Sequence, residues 1–131
     1  MIDKDALCPC SSGKKYQTCC GPLLAGERQA ENAEMLMRSR YTAYATRNGS
    51  YLLATWHEST KPGCLDLKGI QQPEWEGLDV LGVSGGGAQD AEGQVEFVAH
   101  YRMDDTRGQL HEKSRFQRVD GCWYYVDGEI A

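Results

Sequence analysis

The sequence predicts an α+β domain preceded by a small cysteine-rich unit. Three observations carry this reading. Four of the six cysteines fall within the first 20 residues. Apolar residues then recur at intervals of three and four from Ala33 to Ala45, and again over Tyr51 to His57. Beyond residue 75 the period drops to two and persists to Asp127, with turn residues between the runs. Helices followed by an antiparallel meander give the α+β pattern, and the apolar faces of the two parts are natural partners. With 131 residues, 40% of them hydrophobic, the chain can build one core without relying on disulfides.

The first cysteines are spaced Cys8-x-Cys10, then eight residues, then Cys19-Cys20. Zinc favours four such ligands in a tetrahedron, with Zn–S near ~2.3 Å, and a site with four protein ligands is closed and structural. Pro9 stiffens the first pair, and Ser11, Ser12 and Gly13 supply a turn whose N–H groups can reach sulfur. Lys14 and Lys15 are placed to offset part of the negative charge of four thiolates on a dication. A vicinal disulfide between Cys19 and Cys20, or burial of the thiols as small hydrophobes, are the competing readings. A unit of this size has little apolar surface to bury them, whereas metal-binding free energy becomes folding free energy. The Gly21-Pro22 break ends the unit, so the division is 1–22 and 23–131.

In the second part Asn32 is placed to cap a helix, with Glu31 and Glu34 near its positive end. Ala33, Leu36, Met37, Tyr41, Tyr44 and Ala45 form its apolar face, and Asn48-Gly49 stops it. Ser50 is placed to cap a second helix, Tyr51 to His57, and Pro62-Gly63 ends that stretch. Leu78 and Val80 belong to a first strand. Val95, Phe97, Ala99 and Tyr101 share one face of a second; Leu110, Glu112, Ser114 and Phe116 share one face of a third. That alternation turns His100 and His111 to the opposite face. Asp120-Gly121 is a two-residue hairpin turn leading to a last strand, Trp123 to Asp127.

A net charge of −5 and a pI near 5.1 weigh against a broad nucleic-acid surface. No apolar run is long enough to span a membrane, and the N-terminus lacks the pattern of a signal peptide. The expected location is therefore cytoplasmic, where thiols stay reduced and clustered cysteines point to metal. Gly85-Gly86-Gly87 opens no helix and Ser12-Gly13-Lys14 lacks an upstream glycine, so neither is a phosphate-binding loop.

The segment Cys8-Pro-Cys-Ser-Ser-Gly-Lys-Lys-Tyr-Gln-Thr-Cys-Cys-Gly21 resembles the SEC-C motif, a zinc-binding segment. Serine stands at position 11 where that family usually has glycine, and Cys20 where it often has histidine. Gly21 to Gly26, Leu36 to Tyr44, Tyr51 to His57, Val95 to Ala99, Leu110 to Phe116 and Trp123 to Gly128 resemble the YchJ-type (UPF0225) family. The resemblance implies an NTF2-like body, with helices packed on a curved antiparallel sheet that leaves a conical pocket. It also implies one structural Zn²⁺ held by Cys8, Cys10, Cys19 and Cys20, and it implies no particular reaction.

The expected function is that of an interaction or adaptor protein. Lys14, Lys15 and Tyr16 would meet a protein partner, and the body would serve as scaffold with room for a small ligand. The expected pocket residues are Arg38, Tyr41, Trp56, His57, Tyr101, Glu112 and Ser114. Glu112 stands on an apolar face, so it must be paired or open to a cavity, with Arg38 or Arg40 as the expected ion-pair partner. The opposing reading is an isomerase- or dehydratase-like enzyme using Glu112 and His57. A weaker one is RNA or ribosome binding through the knuckle. A monomer or weak dimer is expected, from the polar outer face formed by His100, Arg102, Lys113 and Arg115.

Overall fold

The computed structural model describes residues 5–63, 73–87 and 89–130. Cys64 lies outside them. The chain begins with a knuckle in which Leu7 bridges Lys15, followed by a 3-10 turn at Tyr16–Thr18. Three helices come next: α1 (Gly21–Leu24), α2 (Ala33–Ala45) and α3 (Gly49–Ala54). Strands β1 (Glu74–Gly85), β2 (Glu92–Met103), β3 (Thr106–Val119) and β4 (Cys122–Ile130) complete it.

Helix α2 forms as its sequence dictates. The Asn32 side chain accepts from the Met35 N–H at 2.8 Å, closing the first turn, and Leu36, Met37 and Tyr41 are buried. Helix α3 is displaced from its expected span. It starts at Gly49, capped by Asn48 through the Tyr51 N–H at 3.1 Å, and ends at Ala54. Strand β4 is the reason: Tyr125 donates to the Thr55 carbonyl and His57 donates to the Tyr125 carbonyl, both at 2.8 Å. These bonds draw Thr55–His57 out of the helix. The Gly21-Pro22 break expected after the knuckle is instead the start of α1, whose first turn Pro22 opens, where a missing N–H costs nothing.

The four strands form one antiparallel sheet in sequence order, β1-β2-β3-β4. Val95, Phe97, Ala99, Phe116 and Trp123 are buried on the face that receives α2, as strand alternation requires. Asp120 and Gly121 both take left-handed backbone, φ 52° and 83°, matching the twist of the β3–β4 hairpin. The expected curved sheet around a conical pocket is not found. The sheet is open and uncurled, with β1 and β4 as unjoined edges. Among the described residues the four-strand meander has no further strand with which to roll closed, and α2 lies across it on β1, β2 and β4.

The glycine run after β1 has a packing role. The Gly86 carbonyl accepts the Ala33 N–H at 3.0 Å, and a Cβ on Gly86 would stand 2.7 Å from that of Ala33. Its φ of +77° suits glycine as well. The β1–β2 hairpin thus abuts the start of α2.

Candidate functional site

Two sites stand out: the knuckle and a cleft between α2 and the sheet. In the knuckle, Cys8 N–H donates to the Lys14 carbonyl and Tyr16 N–H to the Ala6 carbonyl, both at 2.8 Å. Ser11 and Gly13, at φ 64° and 84°, turn the chain between the two halves. The following 3-10 turn presents Cys19 and Cys20.

The four Sγ atoms of Cys8, Cys10, Cys19 and Cys20 lie within 4.8 Å of one another. Cys10 and Cys19 are 3.6 Å apart, and Cys19 and Cys20 4.0 Å. A tetrahedron with metal–sulfur bonds of ~2.3 Å has edges of about 3.8 Å, so the cage fits zinc in size and donor type. The thiols are free, which disposes of the vicinal disulfide. Cys10, Cys20 and Cys8 are 0%, 1% and 4% exposed, while Cys19 is half-buried.

The crowded thiols perturb one another. Hydrogen bonds from Cys20 and Cys8 hold the Cys10 thiol far below its usual pKa. Donation to Cys10 pushes Cys8 up to about 11 and drives Cys20 well above the normal thiol range.

The cage is fastened to the body. Thr42 Oγ1 lies 3.7 Å from Cys8 Sγ and Ser12 Oγ 3.2 Å from Cys19 Sγ. Arg38 donates through Nη1 to the Cys10 carbonyl at 2.8 Å and through Nε to Glu34 at 2.9 Å. Leu78 N–H donates to Ser11 Oγ at 3.1 Å. Cys8, Cys10 and Cys20 consequently belong to the same apolar cluster as Leu36, Met37, Tyr41 and Leu78. Lys14 and Lys15 are exposed. Tyr16 is instead half-buried against that cluster, and its carbonyl and ring leave no room for a Cβ at Gly21.

The second site is a cleft of about 270 Å³ whose walls include Tyr41, Trp75, Phe97, Leu110, Glu112 and Ser114. Of the expected pocket residues, Tyr41, Glu112 and Ser114 line it; Arg38, Trp56, His57 and Tyr101 do not. Arg38 serves the knuckle, as above. Trp56 packs edge-on to Tyr125, with ring centroids 5.3 Å apart. His57 accepts the Ser59 N–H on Nδ1 at 3.1 Å and lies beside Tyr124. Tyr101 packs on Trp75 at 5.7 Å and covers Gly108 across the β2–β3 pair. Glu112 and His57 are therefore not assembled into an acid–base pair at the cleft.

Nor is Glu112 held by a buried ion pair. Its carboxylate accepts from Ser114 Oγ at 2.6 Å, and among the described residues no cation bridges it. A glycine at 128, opposite Ser114, leaves the space that this carboxylate fills. Arg40, only 5% exposed, also borders the cleft, but its Nη1 donates to the Leu52 carbonyl at 2.8 Å and to Thr55 Oγ1 at 2.7 Å. Its guanidinium lies 4.5 Å over the Tyr125 ring and 5.0 Å over Trp56. Burial pushes its pKa below the usual arginine value. The sequence signal for Arg40 was its place four residues after Leu36 and four before Tyr44, inside the apolar stripe of α2. His100 and His111 are on the outer face, each 2.7 Å from a carboxylate, Asp79 and Glu96.

Among the described residues no helix is long and apolar enough to cross a membrane. Residues 6–22 match the SEC-C motif, and residues 32–128 match the family described as YchJ, middle NTF2-like domain. A UPF0225 protein of Streptomyces coelicolor is 48% identical over 123 residues, covering 94% of each chain. One of Geobacter sulfurreducens is 45% identical over 126 residues, covering 93% of this chain and 78% of the relative. The solution structure of a SEC-C motif containing protein from Rhodopseudomonas palustris superposes with a TM-score of 0.83 at 38% identity, covering 95% of this chain and 98% of that one. A crystal structure of a SEC-C motif containing protein from Psychrobacter arcticus gives 0.80 at 28% identity, covering 100% and 86%. A cysteine knuckle fastened to a helix-on-sheet body, matched along both parts, places the chain in the UPF0225 (YchJ-type) family, with an N-terminal SEC-C motif and an NTF2-like middle domain.

Proposed function

We propose that this protein is a cytoplasmic, zinc-stabilised interaction protein, with the knuckle of residues 1–22 as its docking surface and residues 23–131 as scaffold. One zinc ion would be held by Cys8, Cys10, Cys19 and Cys20. The observation that carries the reading is the closed donor set: four sulfurs, three of them buried, within 4.8 Å of one another. Four thiolates leave no coordination position for substrate, so the chemistry bound zinc supplies there is cross-linking rather than catalysis. Arg38 and Thr42, both on α2, would then hold the ligands against that helix, while Ser12 would orient Cys19 from within the knuckle.

Lys14 and Lys15, exposed on the loop between the cysteine pairs, are the residues assigned to a protein partner. Tyr16 supports that loop from beneath. The protein acts as a monomer or weak dimer. The test compares wild type with a Lys14→Glu/Lys15→Glu variant in pull-downs, after both are shown to hold equal metal. Loss of a protein partner on charge reversal supports the reading. Captured RNA that nuclease removes together with all bound protein would replace it with nucleic-acid binding, and capture indifferent to both lysines would overturn it.

A further inference from the structure

The cleft between α2 and the sheet is not used by the knuckle, and its composition is uneven. Tyr41, Trp75, Phe97 and Leu110 give it broad apolar walls, while Glu112 places a carboxylate among them. That carboxylate has one donor among the described residues, the Ser114 hydroxyl at 2.6 Å. A carboxylate has room for about four hydrogen bonds, and Glu112 is only half-buried, so it can accept from a ligand as well as from Ser114. An acceptor in apolar surroundings favours whatever brings it a donor.

The placement is built rather than incidental. Ser114 is buried and fixes one oxygen, Oε2. At position 128, across the β3–β4 pair, the absence of a Cβ leaves the space the carboxylate occupies; a side chain there would make Glu112 swing aside. The other charged group at the cleft is already engaged: Arg40 donates to the Leu52 carbonyl and Thr55 Oγ1 and lies over the Tyr125 ring. The Trp75 indole N–H is buried and has no hydrogen-bond partner among the described residues. Tyr41, Tyr44 and Tyr125 also bring hydroxyls to the cleft, and Glu112 is the carboxylate among its lining residues.

We infer that the cleft binds a small organic molecule with a flat apolar body and one hydrogen-bond-donating head, an amine or hydroxyl, set against Glu112. At about 270 Å³ the space is just under the lower end of ordinary ligand pockets, ~300 Å³, which limits the body to roughly a single ring with a short arm. An ammonium head would gain the charge-assisted bond to the carboxylate; a hydroxyl head would make the neutral equivalent. A carboxylate head is excluded by repulsion from Glu112.

Three probes share one body and differ only at the head: 2-phenylethylamine, 2-phenylethanol and phenylacetate. Each is titrated into the full chain, with amide and indole NMR shifts at Tyr41, Trp75 and Ala99 reporting occupancy of the cleft. At least one donor-bearing probe should bind roughly tenfold or more tighter than phenylacetate, at the millimolar affinities usual for such small molecules. Glu112→Gln, which keeps the size and still accepts from Ser114, should collapse that preference. Ala99→Leu, which fills the cleft from its β2 wall, should remove the shifts even if Glu112→Gln does not fold. Equal or tighter binding of phenylacetate, no binding by any probe, a preference unchanged in Glu112→Gln, or shifts unchanged in Ala99→Leu would each overturn the inference.

Discussion

Arg38 is the sharpest place to test whether the knuckle and the body act as one unit. The structure removes it from the cleft and gives it two jobs: Nη1 on the Cys10 carbonyl at 2.8 Å, and Nε on Glu34 at 2.9 Å. Cys10 is fully buried with Arg38 in place, and deleting the guanidinium removes the donor to its carbonyl. A hydrogen bond from a charged donor contributes about 1.5–3 kcal/mol. The Glu34 pair adds only ~0–1 kcal/mol, since its side chains are 20% and 40% exposed. Arg38→Ala should therefore cost roughly 2–3 kcal/mol. A chain of this length shifts its Tm by roughly 3–5 °C per kcal/mol, so thermal denaturation should show a drop of about 6–15 °C. Loss of this support should also loosen the cage, making the metal roughly tenfold easier to extract with a competing chelator. Arg38→Lys should recover part of both effects, because a single ammonium reaches one acceptor where the fork reaches two. A Tm change worth less than about 0.5 kcal/mol, with extraction unchanged, would refute the claim that this arginine couples the two parts.

Other outcomes follow from the same geometry. Stripping the metal should lower the Tm of the whole chain, because three of the ligands sit in the apolar core; if free metal stands about a thousandfold above its dissociation constant, the loss is ~4 kcal/mol, or roughly 12–20 °C. Gly128→Ala should displace the Glu112 carboxylate at a cost below about 1 kcal/mol, and denaturant melts should show that cost vanish in the Glu112→Ala background. Arg115, bonded to both oxygens of Asp127 at 2.6 Å, holds that carboxyl below its usual pKa. A lowered folded value means the stabilisation is present above the unfolded pKa, near ~3.9, and is lost as pH falls through the folded one. Asp127→Asn should accordingly flatten the acid limb of a Tm–pH curve below about pH 4, less so in high salt.

Features set by neighbouring residues were legible in the sequence. Asn32 announced α2, the alternation from Val95 to Tyr101 announced which side chains of β2 face inward, and Asp120-Gly121 announced the last hairpin. The four cysteines were legible as a group because their spacing closes a short loop, and their sulfurs do converge. What failed depended on distant partners. The end of α3 was misplaced because β4 competes for the backbone of Thr55–His57, and that competition also carried His57 away from Glu112. Arg38 and Arg40 are two residues apart and so stand on nearly opposite sides of a helix. Choosing between them required the phase of α2 against the sheet, where Arg40 shares the stripe of Leu36 and Tyr44. Whether a meander curls into a cone or stays open is a property of the whole sheet, and no local spacing encodes it.

The central claim is that Cys8, Cys10, Cys19 and Cys20 together hold one zinc ion. Elemental analysis of the purified native chain, paired with titration of its thiols before and after chelation, tests it directly. The account predicts close to one zinc per chain and four thiols that become reactive only when the metal is withdrawn, with Cys20→Ser losing most of the metal. Metal near zero, with all four thiols titrating freely in the folded protein, would contradict it.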